Sequence, residues 1–242
     1  MHSRAERERL FHDVRYSSEL RSEVDQLYSV LEAGRHEFRR LVQDLSAEKR
    51  VLEMGCGKGA KMIDICANAR SGIAIDISPI AVERARSNVD DPRWDFQVMD
   101  ATATTFDPES FDIIIGTGVV HHLDVDLAMA EIRRLLAPGG AAIFLEPLGH
   151  NPILNLYRSR TPEFRSADER PLRRADFFQD GLSISVHQYG LISAALGLLK
   201  FGDGSVAHRL CSFELRLLHH IPIMKWAAWY ALIRVTRLDE DV

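Results

Sequence analysis

The sequence predicts an α/β fold, a doubly wound and mostly parallel sheet of about seven strands with helices on both faces. Three observations predict it. Short apolar runs alternate with helix-period segments from residue 50 to residue 145, the pattern of repeated strand-loop-helix units. The first of these runs ends in closely spaced glycines, Gly55, Gly57 and Gly59. The chain has 242 residues, 46% hydrophobic and 27% charged, which is the size and balance of a single globular domain.

Residues 1–48 are expected as N-terminal helices that precede the sheet. From 18 to 45, Leu20, Val24, Leu27, Leu31, Phe38, Leu41 and Leu45 recur at three- and four-residue steps, which reads as amphipathic helices with a weak break at Gly34. A cofactor-binding core follows over 49–146. Residues 50–54 read as a buried strand and 61–69 as its helix; 72–77 and 79–89 repeat the unit. Strands at 95–99 and 111–116 come next, then a helix at 125–136. Ala137-Pro138-Gly139-Gly140 stops that helix, because proline cannot continue it and glycine supplies a left-handed exit, and 141–145 enters a fifth strand. Residues 147–225 read as a substrate cap with a helical insertion, since Pro147, Pro152, Pro162 and Pro171 interrupt it. Within that stretch 182–189 alternates as a strand does, and a final strand at 226–236 leads into the tail at 242.

Composition excludes several classes. A net charge of −5 offers no general attraction to a phosphate backbone, and basic residues gather only over 158–174, so no nucleic-acid partner is expected. Cys56, Cys66 and Cys211 are odd in number and lack C-x-x-C spacing, which fits a reducing cytoplasm better than a disulfide framework or a zinc site. Residues 1–10 alternate Arg and Glu without the apolar centre of a signal peptide. The apolar runs 190–199 and 221–235 are short or broken by Pro222, Lys225 and Arg234, so no transmembrane helix is expected. Along the chain no His/Asp/Glu group has ligand spacing, and no metal is expected.

In a parallel sheet, ligands settle at the carboxyl ends of the strands. Here those ends carry Gly55-x-Gly57-x-Gly59, Asp76, Asp100, Gly116-Thr117-Gly118 and Glu146. Glycines let a ligand lie against the backbone, and Asp76, 21 residues beyond Gly55, suits a pair of ribose hydroxyls. The stretch Gly55-x-Gly57-x-x-Ala60 also satisfies the dinucleotide fingerprint, so the glycines alone leave two cofactor classes open.

Further residues separate them. Glu53 before the glycines, Gly59, the Asp100 of Val98-Met99-Asp100-Ala101, the segment from Phe111 to Leu123, and Leu136-Ala137-Pro138-Gly139-Gly140 stand in order. Together they resemble the class I S-adenosylmethionine-dependent methyltransferases over roughly residues 45–150. The resemblance implies a Rossmann-like sheet, S-adenosylmethionine as cofactor and S-adenosylhomocysteine as product. It implies a cofactor site of Glu53, Gly55, Cys56, Gly57, Gly59, Asp76, Ile77, Asp100, Ala101 and Thr117. In it Glu53 orders the loop and the methionine end, Asp76 holds the ribose, and Asp100 pairs with the adenine amino group. Residues 146–172 resemble small-molecule methyltransferases related to the ubiquinone and menaquinone enzymes. The absence of an Asn-Pro-Pro-Tyr or Asp-Pro-Pro-Tyr segment after the fourth strand counts against nucleic-acid bases as acceptors. The rivals are a nicotinamide-dependent oxidoreductase and a non-catalytic cofactor-binding regulatory protein.

The expected reaction is methyl transfer to an oxygen, with nitrogen as the second choice, of a small acceptor held between the cofactor loop and residues 146–225. His121 and Glu146 are the catalytic candidates: a neutral imidazole suits proton removal at pH 7, and a strand-end carboxylate orients a hydroxyl. The same residues also serve packing or hold a loop, and His122 stands behind His121 for the base. His150, Tyr157, Arg158 and Arg165 are the substrate-binding candidates, the arginines as anion clamps or as solvated surface. Cys56 fits the turn and is assigned no catalysis. Trp226, Trp229 and Tyr230, beside Ile221, Ile223 and Met224, suit a core strand or a homodimer face more than peripheral contact with a membrane.

Overall fold

A computed structural model of the chain describes residues 3–17, 32–59, 61–191 and 222–238. Helices α1 (Arg4–Ser17) and α2 (Glu32–Ser46) precede strand β1 (Arg50–Met54). Then come α3 (Lys61–Ile65), β2 (Ser71–Asp76), α4 (Pro79–Asn88), β3 (Trp94–Val98), β4 (Phe111–Thr117), α5 (Val125–Leu135) and β5 (Leu136–Pro147). Helix α6 (Pro152–Arg160) and strands β6 (Leu182–Tyr189) and β7 (Tyr230–Arg237) complete the described elements.

These seven strands form one sheet in the order β3-β2-β1-β4-β5-β7-β6. The first five are parallel; β7 runs antiparallel between β5 and β6. Chain order reverses between β1 and β4, which opens a crevice at their carboxyl ends. Alternate residues of each strand feed opposite faces. Val51, Ile113, Ile115 and Ile143 pack with Phe38 and Val42 of α2 and Val82 of α4. Leu52, Met54, Ile114 and Phe144 pack with Met129, Ile132 and Leu135 of α5. Both faces are covered, so these strands read as unbroken apolar runs.

Two helices start where their capping residues dictate. Ser78 Oγ accepts from Ala81 N ahead of Pro79, and Asp124 accepts from Leu127 N at the start of α5.

Helix α1 falls within the N-terminal helices expected over 1–48. The structure departs from expectation in three places. Helix α2 runs through Gly34, which is buried and packed so closely that a Cβ would lie 3.2 Å from the Tyr189 ring. Strand β5 begins at Leu136, so Ala137-Pro138-Gly139-Gly140 lies inside a strand that pairs with β4 through a register shift between Phe111 and Ile113. Residues 222–227 form a 3-10 helix, and β7 begins only at Tyr230. The helical period over 18–31 and the insertion over 192–221 lie outside the described residues. Among those described, no helix is long and apolar enough to cross a membrane.

Candidate active site

The carboxyl ends of β1 and β2 are bound together by their own backbone. Gly55 N and Cys56 N both donate to Ile75 O, at 2.8 and 3.0 Å. Asp76, 7% exposed, accepts from Gly57 N and from Ser78 N, each at 2.9 Å, and so joins the glycine loop to the start of α4. Its glycine positions are closed to side chains: Gly55 has φ +72° with Val119 Cγ2 2.7 Å from where a Cβ would stand, and Gly57 has φ +54° with the Tyr16 hydroxyl at 2.9 Å.

Glu53 is buried behind this loop. Burial, and then the charge of Asp76, push its carboxyl up to about 8, so it is protonated at neutral pH. Asp76 is raised too, chiefly by burial, with the two backbone N–H bonds pulling the other way. Burial also raises the Cys56 thiol well above its ordinary range, which suits a turn residue and not a nucleophile. At the end of β3, Asp100 Oδ1 accepts from Thr102 N and Thr102 Oγ1 at 2.8 and 2.7 Å. Ala101 is buried, Ile77 half-buried and Thr117 exposed along the same edge. A depression of about 370 Å³ lined by Arg50, Ser71, Gly72, Phe106 and Asp107 lies at the opposite edge, where β1 and β2 begin, away from these carboxylates.

His121 and His122 lie in a 3-10 turn after β4. Glu146, fully buried near the end of β5, holds that turn: Oε1 accepts from Val119 N and Val120 N at 2.8 and 3.0 Å, and Oε2 takes His121 Nδ1 at 2.8 Å. The oxygens of Glu146 are engaged by the loop and by His121, as in the reading that a strand-end carboxylate holds its loop, and Glu146 positions His121. With Nδ1–H committed to Glu146, the basic lone pair of a neutral His121 is on Nε2.

Helix α1 lies across this edge. Ser78 Oγ donates to Asp13 at 2.5 Å, Arg4 Nε donates to His122 O at 3.1 Å, and Arg7 forms a two-pronged pair with Asp168 of the cap. Its inward face is polar, with Glu8 4% exposed, while Leu10 and Val14 point outward at 45% and 66% exposure. Glu8 and His12, one turn apart, converge on His122. The expectation that no His/Asp/Glu group is suitably spaced rested on distance along the chain, and folding overturns that reasoning. Burial, followed by the neighbouring His121, lowers His122 to about 3, so its ring is neutral.

The cap residues fall differently. Arg158 donates to Leu148 O and Asn155, while Arg165 donates to Arg158 O and Thr161 O and pairs with Glu169. Both guanidiniums are hydrogen-bonded to the cap's own backbone. His150 is exposed and accepts from Arg174 N at 3.0 Å; Tyr157 is half-buried on α6. Trp229 and Tyr230 are buried in the core, their ring centroids 5.9 Å apart, whereas Trp226 packs against His150 and Phe177. Ile221 lies outside the described residues.

A family model described as a methyltransferase domain matches residues 52–144, the stretch that carries Glu53, the glycines, Asp76, Asp100 and His121. Aklanonic acid methyltransferase DauC from a Streptomyces species is 31% identical over 151 residues, covering 56% of this chain and 68% of that protein. The chain belongs to the class I S-adenosylmethionine-dependent methyltransferases. Indolepyruvate C-methyltransferase of Streptomyces griseus is 36% identical over 100 residues, 39% of this methyltransferase chain and 30% of the relative. Against the first four curated relatives the chain spans between 30% and 56% of their length. The solved geranyl diphosphate C-methyltransferase of Streptomyces coelicolor shares the fold at a TM-score of 0.61 and 15% identity, over 86% of this chain and 80% of that one. The nicotinamide reading, which rested on the glycine spacing alone, is not favoured. The family match leaves out α1 and the cap, and the roles of Glu8, His12, Asp13 and Tyr16 were missed with them. Glu8 and His12 at helical i, i+4 spacing were the available signal.

Proposed function

We propose that this methyltransferase moves a methyl group to an oxygen of a small-molecule acceptor, with His121 as the base that takes the acceptor's proton. The observation that carries it is the His121–Glu146 pair, 2.8 Å apart and buried, on the loop after β4 at the same sheet edge as the glycine loop and Asp76. The residues present fit the cofactor: two glycines whose Cβ positions are blocked, and the buried acids Glu53 and Asp76 beside them. S-adenosylmethionine supplies an activated methyl group on a sulfonium, so the protein's task is alignment and exclusion of water. Glu53, with Gly55, Cys56, Gly57 and Gly59, receives the methionine end. Asp76 and Ile77 border the ribose; Asp100 and Ala101 take the adenine; Thr117 lines the path to the acceptor.

Glu146 fixes the tautomer and angle of His121 so that Nε2 accepts the proton as the acceptor oxygen forms its bond to carbon. His150 and Tyr157 remain the cap residues assigned to the acceptor. A second reading, methylation at carbon, draws on relatives whose names specify C-methyltransferases; an enolate offers both atoms. The test incubates the full chain with S-adenosylmethionine and a panel of phenols, carboxylic acids and enols. His121→Ala should lower turnover about 10²–10⁴-fold while S-adenosylhomocysteine affinity stays within a few-fold. A variant as fast as the parent assigns His121 to packing, and NMR of the methylated product separates oxygen from carbon. No turnover across the panel would favour a cofactor-binding regulator.

A further inference from the structure

Beside the His121–Glu146 pair, three donors meet for which methyl transfer provides no use. Glu8 and His12 come from α1 and His122 from the turn after β4; one donor atom from each lies within 4.8 Å of the others. Glu8 Oε2 stands 3.1 Å from His122 Nδ1 and 3.5 Å from His12 Nε2. Donors bound about 2.0–2.2 Å from a tetrahedral ion are separated by about 3.3–3.6 Å, close to the two separations from Glu8 Oε2.

Hydrogen bonding does not account for the arrangement. Glu8 and His122 are 4% and 7% exposed, yet Glu8 Oε2 and His122 Nδ1 make no aligned hydrogen bond, and His12 Nδ1 is likewise buried without one. Buried polar atoms are almost always satisfied, and Glu8 Oε2 and His122 Nδ1, both without an aligned bond, face each other at 3.1 Å as two donors to one ion would. The other carboxylate oxygen, Glu8 Oε1, is held by the Ser166 hydroxyl of the cap. That is the outer bond that commonly orients a ligating carboxylate.

We propose that Glu8, His12 and His122 bind a divalent ion of the zinc class. Two imidazoles and one carboxylate are borderline donors that favour zinc, cobalt, nickel or ferrous iron over magnesium or calcium. Three protein ligands leave a position for water or an acceptor oxygen, and the ion ties α1 to the turn that carries His121. None of its three ligands is among the residues assigned to the cofactor, so metal binding is measured separately from methyl transfer.

The test uses the full chain, stripped with chelator and then titrated with Zn²⁺ or Co²⁺. One ion should bind per chain, and the cobalt form should show the visible absorption of a low-coordinate site with nitrogen ligands. Glu8→Gln and His122→Ala should each weaken Zn²⁺ binding by at least about 100-fold. His36→Ala, at an exposed position of α2, should leave it unchanged. Binding of S-adenosylhomocysteine by the same samples reports folding, and its loss in the parent would count against the cofactor reading alone. If Glu8→Gln fails to fold, His12→Ala, at a partly exposed position, decides. No stoichiometric binding tighter than about 10 µM, or binding that survives these substitutions, overturns the proposal.

Discussion

Glu53 holds a proton at neutral pH because it is buried beside a second acid. A ligand ammonium placed against it would drive that proton off. Below pH 8 binding then releases about one proton, so S-adenosylhomocysteine affinity should rise by up to about tenfold per unit from pH 6 toward pH 8 and then level. Calorimetry in buffers of different ionisation enthalpy measures the proton, and Glu53→Gln should abolish it. The same shift governs stability. The folded carboxyl titrates near 8 and the unfolded one near 4.5, so the folded state holds the extra proton between them. Its contribution is complete below about pH 4.5 and is lost as pH rises to 8, at no more than about 1.4 kcal/mol per unit. Denaturant titrations at pH 5 and pH 8 should show the parent losing more than Glu53→Gln. At Asp76, replacement by Ala should weaken cofactor binding by about 1–3 kcal/mol through lost charge-assisted bonds, and unchanged affinity would move the ribose elsewhere. Glu53, Asp76 and Asp100 were legible because strand ends and glycines are local patterns. Arg158 and Arg165 stay open between anion clamp and surface in the sequence because a guanidinium looks the same there whether it faces a ligand or the carbonyl of Leu148.

Among elements, α1 shows where reading by hydrophobic period fails. Its apolar residues Leu10 and Val14 face outward while Glu8 and His12 face in, so a search for an apolar stripe would turn the helix around. Its hold on the sheet is a set of polar contacts, among them Asp13 with Ser78 and Arg4 with His122 O. With little apolar burial, α1 should exchange its amide hydrogens faster than α5, and saturating S-adenosylhomocysteine should slow that exchange. Cofactor-insensitive exchange would remove α1 from the site. Helix α6 depends on one cap: Asn151 Oδ1 accepts from Ile153 N and Leu154 N, while its Nδ2 donates to Ala227 O at 2.6 Å. Asn151→Ala should cost about 0.5–2 kcal/mol in chemical denaturation, because it uncaps the helix and orphans the carbonyl that joins the cap to the approach to β7.

At the scale of the molecule, the central strands are buried on both faces, with Phe144 fully enclosed against the α5 side. Phe144→Ala should therefore destabilise the chain by about 3–5 kcal/mol, measured by the denaturation midpoint. The strand-loop-helix order, the parallel core, the loop from Glu53 to Gly59 and the acids at the ends of β2 and β3 were all determined by sequence. They rest on short-range patterns of period, turn chemistry and spacing. The tertiary structure decided that Glu146 serves His121, that the cap arginines brace their own backbone, and that Glu8, His12 and His122 meet. Those outcomes join residues far apart along the chain, and only packing sets which buried donor faces which acceptor.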